Sequence, residues 1–277
     1  MDPVRKALWF VESHWRDPLS LDAIARQCKV SPYHLTRAFA ATLGMSLMRY
    51  VRGRRLSAAA RQLIDGADDI LAVALDAGYS SHEAFTRAFR DQFGLTPEQV
   101  RAQGADANIP FVEAIAMTTT TVPDIAPPRF ETHPPLLLAG LVEHHECQTP
   151  QSIPNQWQKF VPYLGNVPAQ VGQIAYGVTF NFDGDSNFDY LCGMEVKRTD
   201  DLPREFRLLQ LPAQKYAVFV HAGHVAGVRG TYSAIWSKWF PQSGHQPVEA
   251  PLFERYGAEF NGVTGLGGFE IWIPVQG

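Results

Sequence analysis

The chain contains the same pattern twice, at an offset of 50 residues. Residues 35–39 read Leu-Thr-Arg-Ala-Phe, and residues 85–89 read Phe-Thr-Arg-Ala-Phe. The same offset aligns Ser31 with Ser81. A repeat at a fixed period indicates one supersecondary unit used twice. The N-terminal part of the chain is therefore expected to fold as two copies of one small unit.

Each copy predicts a helix, a tight turn and a second helix. In the first copy, Ser20 is a suitable N-cap for a helix over Leu21–Cys28. Pro32 then opens a second helix, which Gly44 is expected to end. A helix over 47–63 is expected to connect the two copies. The second copy predicts helices over 70–77 and 81–93 by the same rules. This is the layout of two helix-turn-helix units.

The second helix of each unit is predicted to read DNA. A helix fits the major groove of B-DNA, and side chains on its outer face reach base edges. Helical periodicity places Leu35 and Phe39 inward in the first copy, and Phe85 and Phe89 inward in the second. Arginine suits the outer face because its fork matches the O6 and N7 acceptors of guanine. The predicted DNA-reading residues are Tyr33, Thr36, Arg37, His82, Glu83, Thr86 and Arg87.

Two units on one bridging helix are expected to enter adjacent major grooves, about 34 Å apart. A monomer can then read an extended site, and a monomer and a dimer both stay open. Four nearby arginines are expected to meet phosphates: Arg49, Arg52, Arg54 and Arg55. The alternative is that the units serve as protein-interaction modules and that the arginines are only solvated.

Charge and composition are consistent with two different domains. Residues 1–104 carry 14 Lys and Arg against 11 Asp and Glu, and residues 105–277 carry 10 against 17. A basic front joined to an acidic back fits a DNA-binding domain followed by a domain that binds something else. Three distant cysteines and no apolar run near the ~20 residues of a bilayer span predict a cytoplasmic protein without membrane segments.

The C-terminal part predicts an α+β domain. After a linker over 105–128, rich in Thr and Pro, residues 129–277 show strands and Gly/Pro turns. Two halves each read strand, helix, strand, strand, which predicts a mostly antiparallel sheet with helices on one face. The segment Phe111–Met117 is compatible with a docking helix or a first strand. The first half covers 136–142, 157–164, 174–182 and 188–196, and the second covers 216–221, 232–240, 252–260 and 269–275.

Residues 105–277 contain no nucleophile elbow, phosphate loop or metal-ligand spacing. His144 and His145 are adjacent, so in a strand they point to opposite faces and cannot bind one metal. We therefore assign no catalytic residue and expect neither a metal nor a cofactor.

Acidic residues among aromatic residues are the candidate ligand contacts. Glu270 and Trp272 share a face of the last strand, and Glu254 lies next to Phe253 and near Tyr256. A carboxylate beside aromatic walls attracts a lipophilic cation by charge and by cation–π contact. The alternative is that each acid is an exposed strand residue. The predicted ligand-binding set is Trp157, Phe160, Tyr176, Tyr190, Trp236, Glu254, Glu270 and Trp272.

Residues 1–104 resemble the DNA-binding domain of the AraC/XylS family of bacterial transcription regulators. The resemblance rests on residues 31–39, which read Ser-Pro-Tyr-His-Leu-Thr-Arg-Ala-Phe, and on residues 93–97, which read Phe-Gly-Leu-Thr-Pro. It implies that Tyr33, Thr36 and Arg37 read bases in the first copy. In the second copy it implies the same for His82, Glu83 and Arg87, where Glu83 would accept from a cytosine amino group.

Residues 129–277 resemble the GyrI-like small-molecule-binding domain. The resemblance rests on residues 216–223, which read Tyr-Ala-Val-Phe-Val-His-Ala-Gly, and on residues 270–274, which read Glu-Ile-Trp-Ile-Pro. It implies two repeated halves around a cleft with aromatic walls and an acid, suited to hydrophobic and often cationic ligands. Glu254 and Glu270 are both candidates for that acid.

The sequence therefore predicts a transcription regulator that binds promoter DNA and senses a small lipophilic effector. RNA polymerase is a possible further partner. Two alternatives stay open. A Glu beside a Tyr can activate water, which fits a GyrI-like hydrolase of a xenobiotic. The second alternative is a protein that sequesters a toxin or another protein and binds DNA only incidentally.

Overall fold

Helices make up the N-terminal third of the protein. The computed structural model describes residues 2–116, 123–147, 152–183 and 186–277. The N-terminal helices are α1 (Pro3–His14), α2 (Leu21–Cys28), α3 (Pro32–Leu43), α4 (Leu47–Ile64), α5 (Ile70–Asp76), α6 (His82–Phe93) and α7 (Pro97–Gln103). A short 3-10 turn, Gly104–Asp106, follows α7. Each predicted helix of this region is present, with ends within two residues of the expected ones.

The chain divides into two units of dense internal contact. The first unit contains Pro3–Leu35 and Ser46–Thr120. The second contains Thr36–Met45 and Thr121–Gly277, so the C-terminal part of α3 belongs to it.

The two copies of the repeat have the same local geometry. Ser31 Oγ accepts from the backbone N–H of His34 at 3.1 Å, and Ser81 Oγ accepts from that of Ala84 at 3.2 Å. Gly44 and Gly94 follow α3 and α6 with φ of 72° and 74°. Glycine adopts this left-handed conformation without the steric cost that a Cβ brings. The predicted pair of helix-turn-helix units is thereby confirmed as a local structure.

The core around the second copy is aromatic. Phe85 and Phe89 lie 5.3 Å apart between ring centroids, and Phe89 and Phe93 lie 4.8 Å apart. All three are buried, as helical periodicity predicts. They pack with Leu56 and Leu63 of α4, so the bridging helix also supports this copy.

The segment after α7 is neither of the two predicted structures. Residues 111–116 form no helix and no strand. Instead, the N–H of Val112 donates to Ser57 Oγ at 2.8 Å, and the N–H of Ile115 donates to Tyr50 Oη at 3.1 Å. Side chains of α4 thus satisfy backbone groups that a helix or sheet would otherwise pair. Met117 and Thr118–Thr121 lie outside the described residues.

Two of the four arginines that were expected to meet phosphates are used inside the fold. Arg54 binds the Glu12 carboxylate through Nε at 2.9 Å and Nη2 at 2.8 Å. Arg55 donates to the carbonyl oxygens of Trp15 and Asp17. Arg49 and Arg52 are exposed. The acceptors come from α1 and the segment after it, and contact of the four arginines with phosphates stays a prediction.

Glu12→Gln should destabilise the first unit by about 1–2 kcal/mol, since it removes a charged acceptor from Arg54 and Tyr50. Burial raises the pKa of Glu12, but the hydrogen bonds from Arg54 and Tyr50 outweigh it and hold the pKa below 4.5. A carboxyl group whose pKa is lowered by folding contributes its full stabilisation above pH 4.5. This contribution is lost as the pH falls through the pKa of the folded state. Urea unfolding at pH 7 and in steps below pH 4.5 measures both effects.

The matched control for this prediction is Glu113→Gln. Glu113 also pairs with an arginine, Arg61, but its side chain is 66% exposed. An exposed pair contributes little, so this variant should unfold like the wild type. Equal effects of the two substitutions would contradict the prediction.

The second unit is built on one antiparallel sheet of eight described strands. The strands are β1 (Arg129–His133), β2 (Leu136–His145), β3 (Gln170–Phe180), β4 (Phe188–Val196), β5 (Arg207–Leu211), β6 (Gln214–His221), β7 (Leu252–Tyr256) and β8 (Phe269–Pro274). Their order is β1-β6-β8-β7-β3-β4-β2-β5. The predicted halves, β2-β3-β4 and β6-β7-β8, join through β3 and β7. The two edge strands, β1 and β5, were not predicted.

Helices follow β2 and β6, as the predicted repeat requires. Helix α8 (Ser152–Phe160) precedes β3. In the second half, α9 (Val228–Ala234) continues into a π-helix over Ile235–Trp239 and then α10 (Phe240–Ser243). A helix was expected over 232–240. The observed helix begins earlier, at Val228, and its π-helical segment was not predicted. The α+β architecture is confirmed.

The sheet buries both of its faces. One face meets the helices, where Phe219 of β6 packs on Trp239 at 5.0 Å between ring centroids. The opposite face holds its own apolar cluster, in which Phe253 stacks on Trp272 at 5.2 Å. Successive residues of a strand point to opposite faces. Glu254 therefore lies on the helix-covered face, and its neighbours Phe253 and Arg255 lie on the other.

Candidate functional site

A buried carboxylate with three tyrosine partners lies on the helix-covered face. Glu254 Oε2 accepts from the hydroxyls of Tyr190 and Tyr256, each at 2.8 Å. Glu254 Oε1 accepts from Tyr232 Oη at 3.0 Å. Trp157 Nε1 donates to Tyr190 Oη at 3.2 Å, which extends the network to α8. We call these five residues the Glu254 cluster.

Strand geometry and one glycine explain how the cluster forms. Glu254 and Tyr256 are two residues apart on β7, so they share a face. Gly177 of β3 lies opposite Glu254, and a Cβ there would be 1.9 Å from Tyr190 Oη. The missing side chain at Gly177 therefore makes the space in which the Tyr190 hydroxyl reaches the carboxylate.

Among the described residues, the Glu254 carboxyl group forms no ion pair with a Lys or Arg, and it is 9% exposed. Burial raises the pKa of Glu254, and the three tyrosine hydrogen bonds and the nearby His221 offset part of that rise. Burial and the neighbouring carboxylate raise the pKa of Tyr190 and Tyr256 well above 10.0, so both phenols stay protonated donors.

The second candidate acid, Glu270, is in a different environment. It lies on the opposite face, where Trp272 Nε1 donates to its Oε2 at 3.0 Å. Arg129 contacts Oε1 at 2.6 Å, and Arg255 contacts Oε2 at 3.2 Å. Burial raises the pKa of Glu270, but these partners outweigh it and hold the pKa below 4.5. Two arginines already neutralise Glu270, so it offers no unbalanced charge to a cation.

The predicted ligand-binding residues divide into three groups. Trp157, Tyr190 and Glu254 meet in one cluster. Tyr176, Glu270 and Trp272 lie on the opposite face of the sheet. Phe160 and Trp236 are fully buried and make no hydrogen bond to Glu254; Phe160 packs on Trp157 and Phe206, and Trp236 stacks on Phe240. The structure therefore does not bring the eight residues around one cleft, because the pleat separates neighbours that the sequence places close together.

Two members of the Glu254 cluster were absent from the predicted set. Tyr256 had a signal in the sequence, because residue i+2 of a strand shares the face of residue i. Tyr232 had none, since only the packing of α9 on the sheet brings it to Glu254. The adjacent residues His144 and His145 differ in exposure: His144 is exposed and its Nδ1 lies 2.9 Å from Asp189 Oδ1, whereas His145 is buried and its Nε2 lies 2.6 Å from Gln156 Oε1. Among the described residues, no cluster of His, Cys, Asp and Glu could hold a metal ion.

The second predicted recognition helix, α6, presents its outer face to solvent. Arg87 and Glu83 are exposed, and His82 and Thr86 are half-buried. His82 Nε2 lies 3.0 Å from Glu98 Oε1. Hydrogen bonds from its own backbone N–H and from Ser81 lower the pKa of Glu83, which keeps it ionised at the start of the helix. An acid suits a helix N-terminus, so Glu83 already has a structural role there.

The first predicted recognition helix is less exposed than its periodicity indicates. Tyr33 is half-buried, and Thr36 is buried at 8% exposure. The Arg37 guanidinium carbon lies 3.7 Å from the centroid of the Phe182 ring. Thr36 was predicted to face outward, and that expectation of exposure was wrong. Periodicity identifies the face of a helix but not what covers it.

Family comparisons cover both parts of the chain. A model described as "Helix-turn-helix domain" matches residues 24–103, and one described as "GyrI-like small molecule binding domain" matches residues 126–276. The chain belongs to the helix-turn-helix regulators with a GyrI-like domain. The predicted family and domain types of this GyrI-like regulator are thereby confirmed.

Curated relatives agree with this assignment. Transcriptional regulator Rob of Salmonella typhimurium is 26% identical over 262 residues, which are 91% of this chain and 89% of Rob. Regulatory protein SoxS of Escherichia coli is 34% identical over 98 residues, 35% of this chain and 92% of SoxS. A solved structure with tetraphenylphosphonium bound is 22% identical, covers 54% of this chain and 94% of its own, and has a TM-score of 0.45. In the described parts of the GyrI-like regulator, no helix has the length and hydropathy of a bilayer span.

Proposed function

We propose that this GyrI-like regulator binds promoter DNA through α3 and α6 and senses a lipophilic cation at the Glu254 cluster. DNA binding would place it in the cytoplasm, with RNA polymerase as its protein partner at the promoter. Tyr33, Thr36 and Arg37 of α3 and His82, Glu83, Thr86 and Arg87 of α6 are the proposed DNA contacts. Two units in one chain allow a monomer to read an extended site.

The observation that carries the ligand proposal is the buried Glu254 carboxylate, which forms no ion pair with a Lys or Arg of the described residues. Burying an unpaired charge is costly, and hydrogen bonds from neutral tyrosines offset only part of that cost. A monocation placed here would supply the missing charge. The aromatic rings of Trp157, Tyr190 and Tyr256 would add cation–π contact. The chemical class that fits is therefore an aromatic or otherwise lipophilic monocation.

The ligand proposal is tested with two ions of one shape and opposite charge. Tetraphenylarsonium and tetraphenylborate are titrated into the full chain, with tryptophan fluorescence and calorimetry as readouts. The cation should bind at least about tenfold more tightly than the anion, since that ratio needs only about 1.4 kcal/mol of charge preference. Equal affinities would reject a cation site.

The affinity for tetraphenylarsonium should fall as the pH is lowered. The cation needs the ionised form of Glu254, whose pKa burial raises above 4.5. A proton and the cation then compete for one carboxylate, so affinity should be constant above that pKa and fall about tenfold per pH unit below it. Titrations from pH 8 down to pH 4.5 measure this. Glu254→Gln should show no such dependence, and an affinity that rises on acidification would contradict the assignment.

A second candidate function is hydrolysis of a reactive xenobiotic. A carboxyl group with a raised pKa beside phenols is an arrangement that general acid–base catalysis uses. Mass spectrometry of candidate esters incubated with the full chain separates the two functions. Unchanged compounds support sensing, and turnover that Glu254→Gln removes supports hydrolysis. A random-site DNA selection that recovers no preferred sequence would instead favour a sequestering protein.

A further inference from the structure

The C-terminal part of α3 is held by a defined surface inside the second unit. Thr42 Oγ1 lies 3.1 Å from Ser233 Oγ and 3.0 Å from Ser237 Oγ. Ser233 and Ser237 are 9% and 5% exposed, so the serine ends of both hydrogen bonds are shielded from solvent, while Thr42 is half-buried. Shielded hydroxyl groups need partners in the protein. The serines and Thr42 supply partners to one another.

Arginine–aromatic contacts add to the same surface. The Arg37 guanidinium carbon lies 3.7 Å from the Phe182 ring centroid and 5.7 Å from the Trp236 ring. At Gly44, a Cβ would lie 2.6 Å from Arg229 Nη1, so the backbone after α3 also touches this surface. We call Phe182, Arg229, Ser233, Trp236 and Ser237 the α3-binding surface. Four of its five residues lie on the continuous helix formed by α9 and the π-helix.

The α3-binding surface engages a side chain that DNA would need. Arg37 is a proposed base contact, and here it stacks on the Phe182 ring. A guanidinium that recognises guanine must point its donors at O6 and N7 in the major groove. It cannot do so while it lies against Phe182. DNA and the α3-binding surface therefore exclude each other at Arg37.

The same helix also reaches the Glu254 cluster. Tyr232 donates to Glu254, and the next residue, Ser233, contacts Thr42. The other two phenols that bind Glu254 come from β4 and β7 in the middle of the sheet, whereas Tyr232 comes from a helix on its face. A ligand that takes a place at the nearly closed carboxylate would therefore displace Tyr232 most easily. Its displacement would act directly on the helix that carries the α3-binding surface.

We propose that the α3-binding surface holds residues 36–45 in competition with DNA, and that a cation at Glu254 releases them through Tyr232. The part concerning the cation rests on the proposed ligand function. Coupling of this kind is a difference in affinity between two states, commonly about 5–150-fold. The structure described here is the state in which Arg37 is withheld from DNA.

The first test weakens the surface without touching the proposed DNA or ligand contacts. Phe182→Ala and Ser237→Ala are made in the full chain, with Ser243→Ala on α10 as the matched serine control. Hydrogen exchange of the amides of residues 36–45 should become faster in both variants and stay unchanged in the control. Affinity for a duplex recovered by random-site selection with the wild type should rise about fivefold or more.

Three results would overturn the competition. If the hydrogen-exchange rates of residues 36–45 are the same in the variants as in the wild type, the surface does not hold these residues. Faster exchange without tighter DNA binding shows that holding them does not oppose DNA. A selection that recovers no preferred duplex removes the DNA function itself, and the exchange data then still report whether the contact exists.

The second test adds tetraphenylarsonium. In the wild type, the cation should speed exchange in residues 36–45 and tighten DNA binding. Tyr232→Phe should already show fast exchange without the cation, and the cation should then add nothing. A cation that binds, by calorimetry, and leaves exchange unchanged overturns the coupling. A cation that does not bind rejects the proposed ligand function and with it the cation-dependent half of the proposal, while the first test still decides the competition.

Discussion

Glu254→Gln should weaken binding of tetraphenylarsonium by about 100-fold. Removing one partner of a buried, hydrogen-bonded charge pair typically costs about 2–5 kcal/mol, and 100-fold corresponds to about 2.7 kcal/mol. Glutamine keeps the size of the side chain but removes the charge that the cation needs. The variant should also lose the preference for tetraphenylarsonium over tetraphenylborate. Calorimetric titration of both ions measures the loss directly.

Glu270→Gln is the matched control, because it makes the same substitution in an acid of the other sheet face. Arg129 and Arg255 already neutralise Glu270, so cation affinity should stay within about twofold of the wild type. The two variants should also differ in stability. Glu254→Gln relieves a buried charge, whereas Glu270→Gln leaves Arg129 and Arg255 facing a neutral amide with a single acceptor oxygen. A larger loss of affinity in Glu270→Gln would place the ligand on the opposite face.

Arg87→Ala should weaken specific DNA binding by about 1–3 kcal/mol, or roughly 5- to 150-fold. Arg87 is exposed on α6, where it is proposed to contact a guanine in the major groove. Binding to random DNA should fall much less, because phosphate contacts dominate it. Fluorescence anisotropy with the selected duplex and with a random duplex, at one salt concentration, measures both affinities.

Arg198→Ala is the control for Arg87→Ala. Arg198 is also exposed and its removal changes the net charge equally, but it lies after β4, outside the helix-turn-helix units. It should leave the ratio of specific to random affinity unchanged. Equal losses on both duplexes in Arg87→Ala would reduce Arg87 to a phosphate contact. No loss in either would remove α6 from the DNA interface.

Local features of the N-terminal part were predictable because they depend on nearby residues. Ser31 and Ser81 cap helices that begin one residue later, and Gly44 and Gly94 end those helices with positive φ. Capping and left-handed termini depend on one turn of chain. The repeat at 50 residues therefore predicted both units and their inward residues.

The edge strands were harder to predict. Strand β1 is exposed at its first four residues and half-buried at His133. A strand without a buried face has no alternation to recognise. Strand β5 turns only Leu209 and Leu211 toward the core, which is too short an alternation to stand out. These strands exist because β6 and β2 offer unpaired backbone edges. The segment after α7 is another such case, since its hydrogen bonds go to side chains of α4.

The sequence by itself determined the repeated helical unit, the two strand-helix-strand-strand halves and the family of this regulator. It also identified Glu254 and Glu270 as acids among aromatic residues. Only the tertiary structure separated them, giving Glu254 three phenols and Glu270 two arginines. The physical reason is that periodicity depends on the chain's own geometry, whereas charge compensation and burial depend on residues that are distant in sequence. The same reason explains why Thr36, outward by periodicity, is buried.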